Sequence, residues 1–127
     1  MDSPAVFVVD DQPSFRRAAS AVIAAAGCDH AGDADSAATA RSALLAGDQR
    51  PDLVLIDVNL GADSGIDLTR ELVAVDTDLR IALVSTMAAI DLPSDAATAG
   101  AIAFVQKSQL DPALIRELAT NTPTGGV

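Results

Sequence analysis

Residues 52–57, Asp-Leu-Val-Leu-Ile-Asp, form an unbroken apolar run that is closed by a carboxylate at each end. The run shows no alternation between apolar and polar side chains, which is typical of a strand buried on both faces of a parallel sheet. Further runs lie at Ala5–Val9, Ile81–Val84 and Ile102–Val105, and a weaker one lies at Asp29–Gly32. The weak run is assigned as a strand mainly by its position. The sequence therefore predicts five parallel strands.

Segments with helical periodicity separate these runs. Apolar residues from Phe15 to Ala26 recur at i, i+3, i+4 and i+7, which forms one stripe along a helix, and Gly27 supplies a stop. Further helices are expected over Ser36–Ala46 and near Asp91–Ala99. Another should begin at the cap residue Ser64, with Leu68, Leu72 and Val75 buried, and a last one at Asp111-Pro112. Alternating strands and helices predict a doubly wound α/β domain with right-handed crossovers and helices on both faces of the sheet.

The composition narrows the class of protein. The 127 residues suit one domain, predicted as residues 1–119, with a tail or the start of a linker over residues 120–127. The net charge of −10, from 18 acidic and 8 basic side chains, argues against direct contact with nucleic acid or with an anionic membrane. A single cysteine and the lack of an apolar run of membrane-spanning length favour a reducing cytoplasm.

Polar side chains follow four of the five predicted strands. Asp10 and Asp11 follow the first strand, Asp57 ends the third, Ser85 ends the fourth, and Lys107 lies just past the fifth. Ligands of open α/β sheets bind at the carboxyl ends of the strands, so these side chains should converge. Three carboxylates in one cavity stay ionised only with a cation among them. An all-oxygen set without His or Cys points to Mg2+.

A carboxylate beside a divalent ion can attack a phosphoryl group and form an acyl phosphate. The charge that develops on the phosphoryl oxygens needs positive partners and hydrogen-bond donors, and Lys107 and Ser85 fill these roles. Charge alone does not decide which carboxylate is the nucleophile. Asp57 is favoured because it ends a central strand, where the backbone is held most rigidly. Asp52, at the entry end of the same strand, is predicted to be structural.

These residues together resemble the receiver domain of bacterial two-component response regulators, from about Ala5 to Ala119. The resemblance rests on Asp10-Asp11 after Val-Phe-Val-Val, Asp57 after Leu-Val-Leu-Ile, Ser85 after Ile-Ala-Leu-Val, and Lys107 after Ala-Phe-Val-Gln. The stretch Asp-Asp-Gln-Pro-Ser-Phe-Arg-Arg from Asp10 and the pair Lys107-Ser108 are similar to receivers that carry a C-terminal helix-turn-helix domain of the LuxR or NarL type. Gly61 and Thr86 depart from the usual residues of the family, and Thr86 is expected to narrow access to the acyl phosphate.

The resemblance implies a flavodoxin-like (βα)5 fold with strand order 2-1-3-4-5. It implies that Asp57 accepts a phosphoryl group from a histidine kinase or a phosphotransfer protein. It also implies that Mg2+ is held by the side chains of Asp11 and Asp57, by the backbone carbonyl of Asn59, and by Asp10 through water. Such a domain catalyses only its own phosphorylation and dephosphorylation and turns over no separate substrate.

The resemblance further implies how the signal leaves the domain. Ser85 moves toward the phosphoryl group and Phe104 rearranges with it. The face built from the fourth helix, the fifth strand and the fifth helix then changes its affinity for an output partner or domain. A DNA-binding output domain in a longer parent protein and a phosphorylation-dependent homodimer both fit this scheme.

Two other functions are compatible with parts of the pattern. A phosphohydrolase of the haloacid-dehalogenase type also uses an Asp nucleophile, Mg2+ and Lys, but it places the nucleophile after the first strand in an Asp-x-Asp pattern. Here adjacent aspartates follow that strand, and no insertion could serve as a cap. A degenerate receiver that acts as a docking module without phosphorylation would keep the fold but not need the complete residue set.

Overall fold

A single parallel sheet of five strands organises the chain. The computed structural model describes residues 3–46, 50–87, 96 and 98–120. The strands are β1 (Ala5–Val9), β2 (Asp29–Ala34), β3 (Leu53–Asp57), β6 (Ile81–Ser85) and β7 (Ala103–Gln106). Their order across the sheet is β2-β1-β3-β6-β7, with every pair parallel, which is the predicted order 2-1-3-4-5 for the five main strands.

A short antiparallel hairpin interrupts the crossover after β3 and was not predicted. It consists of β4 (Asn59–Leu60) and β5 (Asp63–Ser64) and lies outside the main sheet. Strands of two residues are too short to show an alternating pattern, so the sequence carries no periodic signal for them. The hairpin joins the carboxyl end of β3 to the helix that follows.

The described helices are α1 (Pro13–Ala25), α2 (Ala37–Leu45), α3 (Gly65–Val75) and α4 (Pro112–Thr120). Ser36 and Ser64 cap α2 and α3 by accepting the backbone N–H of the residue three positions on, and the cap at Ser64 was predicted. The helix predicted near Asp91–Ala99 falls largely on residues 88–95 and 97, outside the described residues, and so does the tail after Thr120. Within the described ranges, no helix is long and apolar enough to cross a bilayer.

The sheet separates two apolar clusters, one on each face, and together they bury its central strands on both sides. One cluster joins the sheet to α1 and α4 and includes Ile23 and Ile115, which are fully buried. The other joins it to α2 and α3 and includes Leu44 and Leu72. The prediction that Val75 is buried is wrong, since 67% of it is exposed at the last turn of α3. The helices therefore cover both faces of the sheet and leave its carboxyl edge open.

Candidate functional site

Three carboxylates converge at the carboxyl edge of the sheet, as the sequence predicts. Asp10 and Asp11 directly follow β1, and Asp57 is the last residue of β3. The two strands are hydrogen-bonded neighbours in the sheet, with Val9 opposite Ile56. One carboxylate oxygen from each aspartate lies within 4.8 Å of the others. The three side chains thus form one acidic cluster.

The backbone holds two of these carboxylates in place. Asp10 is completely buried, and its Oδ1 accepts the backbone N–H of Gln12 at 2.8 Å. Asp57 is only 6% exposed, and its Oδ1 accepts the backbone N–H of Asn59 at 3.0 Å. Asp11, by contrast, is exposed. In both buried aspartates one oxygen is fixed by a turn two residues on, which leaves the second oxygen for other partners.

Lys107 contacts the second carboxylate oxygen, Oδ2, of both Asp10 and Asp57. It begins a 3₁₀ turn, Lys107–Gln109, immediately after β7. Its Nζ lies 2.7 Å from Oδ2 of Asp10 and donates to Oδ2 of Asp57 at 3.0 Å. Because only 11% of the lysine side chain is exposed, these ion pairs are shielded from bulk water. The ammonium therefore joins the ends of three strands.

Burial and the neighbouring charged groups have opposing effects on the pKa values of Asp57 and Lys107. Burial raises the pKa of Asp57, and the charge of Asp10 adds to this, while the bonds from Lys107 and from the Asn59 N–H act to lower it. Burial acts to lower the pKa of Lys107, but its bonds to Asp10 and Asp57 outweigh burial and raise that pKa above its ordinary value. Lys107 is thus an ammonium at neutral pH, in a site with more negative charge than one cation offsets.

An open cavity of about 330 Å³ lies over the cluster. Its lining residues are Asp11, Gln12, Asp57, Asn59, Gly61, Thr86 and Lys107. Gln12 was not predicted as a site residue, although its position directly after the acidic pair is the signal that could have indicated it. A small ligand entering this cavity would meet carboxylate oxygens on one side and the ammonium on another.

The chain matches the family model of the response regulator receiver domain over residues 6–119. It belongs to that family. The receiver is similar to the DNA-binding transcriptional activator DevR/DosR of Mycobacterium tuberculosis, at 35% identity over 103 residues. That match covers 80% of this chain and 46% of DevR/DosR, so the receiver spans less than half the length of that relative.

Solved structures place the receiver in the same family. A response regulator receiver protein from Pseudomonas putida superposes with a TM-score of 0.77 at 31% identity, covering 93% of this chain and 96% of the other. A LuxR-family two-component response regulator from Aurantimonas sp. superposes with a TM-score of 0.78 at 28% identity, covering 92% and 83%. These matches confirm the predicted fold and the similarity to LuxR-type receivers.

Ser85 and Phe104 of the receiver are not among the residues that line the acidic cavity. Ser85 is buried at the end of β6, and its Oγ accepts the backbone N–H of Met87 at 3.0 Å. The neighbouring Thr86 lines the cavity instead. Phe104 lies opposite Leu83 on the neighbouring strand. It is half-buried and packs against the apolar cluster between the sheet and helices α2 and α3. Both residues occupy the predicted strands, but in this conformation neither forms part of the cavity lining.

The donor set of the receiver fits a hard divalent cation. All three acidic side chains offer oxygen, and no His or Cys belongs to the cluster. The completely buried Oδ2 of Asp10 has no hydrogen bond of good geometry and relies on the ion pair with Lys107. Receiver domains bind Mg2+ at such a cluster of aspartates, and these residues match the preference of Mg2+ for oxygen ligands.

Asp63 and Gly65 fix the loop that carries Asn59 and Gly61. The Oδ2 of Asp63 accepts the N–H of Ala37 at 3.2 Å, which connects the β4–β5 hairpin to the start of α2. The N–H of Gly65 donates to the carbonyl of Val58 at 2.8 Å. A Cβ on Gly65 would lie 1.8 Å from the carbonyl oxygen of Asp57. The close approach of the two backbones therefore requires glycine at position 65.

Proposed function

We propose that this receiver is a phosphorylation switch whose acceptor is Asp57. Receiver domains interact with histidine kinases, and the phosphoryl donor would be the phosphohistidine of such a kinase or of a phosphotransfer protein. The observation that carries the proposal is the contact of the Asp57 carboxylate with a buried ammonium, beside two further carboxylates, at the floor of an open cavity. Asp57 combines burial with access to that cavity.

In the proposed reaction, an oxygen of Asp57 attacks phosphorus and forms the P–O bond of an acyl phosphate. The P–N bond to the imidazole of the donor breaks, and the imidazole leaves with a proton from solvent or from the donor protein. Lys107 supports the attack because its N–H groups lie where the charge of the phosphoryl oxygens would develop. A bound Mg2+ would neutralise further charge on the phosphoryl group.

Other residues of the site would have supporting roles. Asp11 and Asp57 would ligate the metal through side chains and Asn59 through its backbone carbonyl, while Asp10 would act through water and orient Lys107. Ser85 is already at the end of β6, and turning its hydroxyl from the Met87 N–H toward the phosphoryl group would be the first step of the switch. Phe104, on the neighbouring strand, would repack with it.

The output proposal follows from the relatives. DevR/DosR is a DNA-binding transcriptional activator and is longer than the region that matches this chain. We infer that residues 1–119 act as the receiver of a regulator in the cytoplasm, joined through residues 120–127 to a DNA-binding output domain or acting on an output partner. The face built from the fourth predicted helix, β7 and α4, the last two being the fifth predicted strand and helix, would transmit the signal. It would do so by a phosphorylation-dependent homodimer or by contact with that output, and the acidic receiver itself would not contact DNA.

The phosphorylation of Asp57 is testable with a small acyl phosphate donor. In the presence of Mg2+ and the donor, the protein should gain the mass of one phosphoryl group. The Asp57→Asn variant should gain none, because the side-chain amide is not nucleophilic enough to attack phosphorus. Asp52→Asn is the matched control. The Oδ2 of Asp52 accepts the N–H of Ala5 at 2.7 Å at the opposite edge of the sheet, and the amide oxygen can still accept it. Intact-mass spectrometry measures the gain.

Three results would contradict this proposal. Modification of Asp57→Asn at the rate of the unchanged protein would place the acceptor elsewhere. Multiple turnover of a generic phosphate ester would favour a phosphohydrolase. Failure of the unchanged, folded protein to react in Mg2+ would favour a docking module that works without phosphorylation.

A further inference from the structure

The ammonium of Lys107 has a third partner besides the two buried carboxylates. Its Nζ lies 4.2 Å from the centroid of the Phe15 ring. A cation attracts the face of an aromatic ring at such a distance, and the attraction is strongest where water is excluded. The 11% exposure of the lysine side chain shows that water is largely excluded here. The ring, Asp10 and Asp57 therefore surround one ammonium group.

The fold holds the Phe15 ring in place beside the lysine. Phe15 lies in the first turn of α1, two residues after Pro13, and packs against the apolar cluster between α1 and the sheet. Lysine has a flexible stem of four carbons, and its compact charge accepts many directions of approach. The carboxylates attract that charge, but they do not by themselves confine it to one position. A ring held by a helix can do so.

A second cavity also borders Lys107. This cavity, of about 320 Å³, is lined by Phe15, Val22, Leu110 and further residues of α1, and it shares Lys107 with the acidic cavity. The lysine therefore stands at the boundary between the two spaces. Removal of the ring would enlarge the second cavity and admit water beside the ammonium, which would weaken its ion pair with Asp57 and allow it to turn away.

We propose that Phe15 is a positioning residue that holds the Lys107 ammonium against Asp57. The kinetic consequence rests on the proposed phosphorylation of Asp57, whereas the contact itself does not. Phe15→Leu keeps an apolar side chain but removes the ring, and Phe15→Tyr keeps the ring face. Phe15→Leu should slow phosphorylation about 2- to 30-fold, the equivalent of roughly 0.5–2 kcal/mol, and Phe15→Tyr should restore most of the rate.

The position of the ammonium can be observed directly, because Lys107 is the only lysine of the chain. Labelling with isotopic lysine gives one set of ε-methylene signals in NMR spectra of the unphosphorylated protein. These proton signals should be shifted upfield by the Phe15 ring, should lose that shift in Phe15→Leu and should keep it in Phe15→Tyr. Phe7→Leu, a substitution in the cluster on the opposite face of the sheet, is the matched control and should leave the shift unchanged.

A double-mutant cycle separates positioning from loss of packing. If Phe15 acts through Lys107, Phe15→Leu should have no further effect on the rate once Lys107→Met is present. The inference is overturned if Phe15→Leu slows the reaction equally in both backgrounds, if Phe15→Tyr is as slow as Phe15→Leu, or if the lysine signals lack an upfield shift in the unchanged protein. Failure of the unchanged protein to react with the donor would refute the proposed function instead, and the NMR comparison would still decide whether Phe15 holds the ammonium.

Discussion

Gly65→Ala is expected to lower the free energy of unfolding by about 3 kcal/mol or more, at the upper end of the cost of overpacking a core. The added Cβ would lie 1.8 Å from the carbonyl oxygen and 2.8 Å from the carbonyl carbon of Asp57, and 3.0 Å from Cγ2 of Ile56. These atoms belong to the buried strand β3, which has neighbours on both sides and little freedom to shift. The helix or the end of the strand must therefore move. Chemical denaturation without metal measures the loss.

Gly61→Ala is the matched control, since it lies in the same loop. There the added Cβ would meet only the Oδ2 of Asp11, at 3.3 Å, and the end of that side chain can move. The cost should come from the backbone φ of +66° at Gly61, roughly 1–2 kcal/mol for a residue with a Cβ. A smaller loss for Gly65→Ala than for Gly61→Ala would contradict the steric account of the loop.

Lys107→Met is expected to impair both stability and reaction. At neutral pH it leaves two buried carboxylates without their cation, and loss of one partner of a buried ion pair costs about 3 kcal/mol. The pKa of Asp57, already raised by burial and by Asp10, should rise further, so part of the lost stability should return as the pH is lowered and the carboxyl takes up a proton. Denaturation curves at two pH values measure both effects.

Phosphorylation of folded Lys107→Met should be slower by about 100-fold, the typical effect of removing one donor to a developing anion. The rate is compared with that of the unchanged protein at a Mg2+ concentration where both are folded. Lys107→Arg is the control for charge, and it should keep most of the stability while its bulkier group fits the site less well. A rate for Lys107→Met equal to that of the unchanged protein would remove the lysine from the mechanism.

Much of the fold follows from the sequence because burial on both faces leaves a clear signal. The runs that contain Val8, Leu55 and Leu83 are unbroken and apolar, and these side chains are buried. The edge strand β2 gives a weaker signal, since most of its residues are not buried and it pairs on one side only. Val75 was misassigned because helical periodicity does not show whether the last turn of α3 is covered, and Val75 there is exposed.

The site could be predicted as far as it depends on the ends of strands. Asp10, Asp57 and Lys107 meet because topology brings the ends of β1, β3 and β7 to one edge, and topology follows from the order of strands and helices. Contacts that depend on side-chain direction could not be predicted. Neither the stacking of Lys107 on Phe15 nor the turn hydrogen bond of Ser85 leaves a pattern in the sequence.

A Mg2+ titration followed by thermal unfolding tests most directly whether the acidic cluster holds a divalent ion beside Asp57. The protein should gain stability with Mg2+, by about 2.7 kcal/mol at a concentration 100 times the dissociation constant. Asp11→Asn removes an exposed ligand without disturbing the buried ion pairs and should lose most of this gain, whereas Asp52→Asn should keep it. An equal rise in melting temperature for Asp11→Asn and the unchanged protein would contradict the proposed metal site, and with it the proposed chemistry of Asp57.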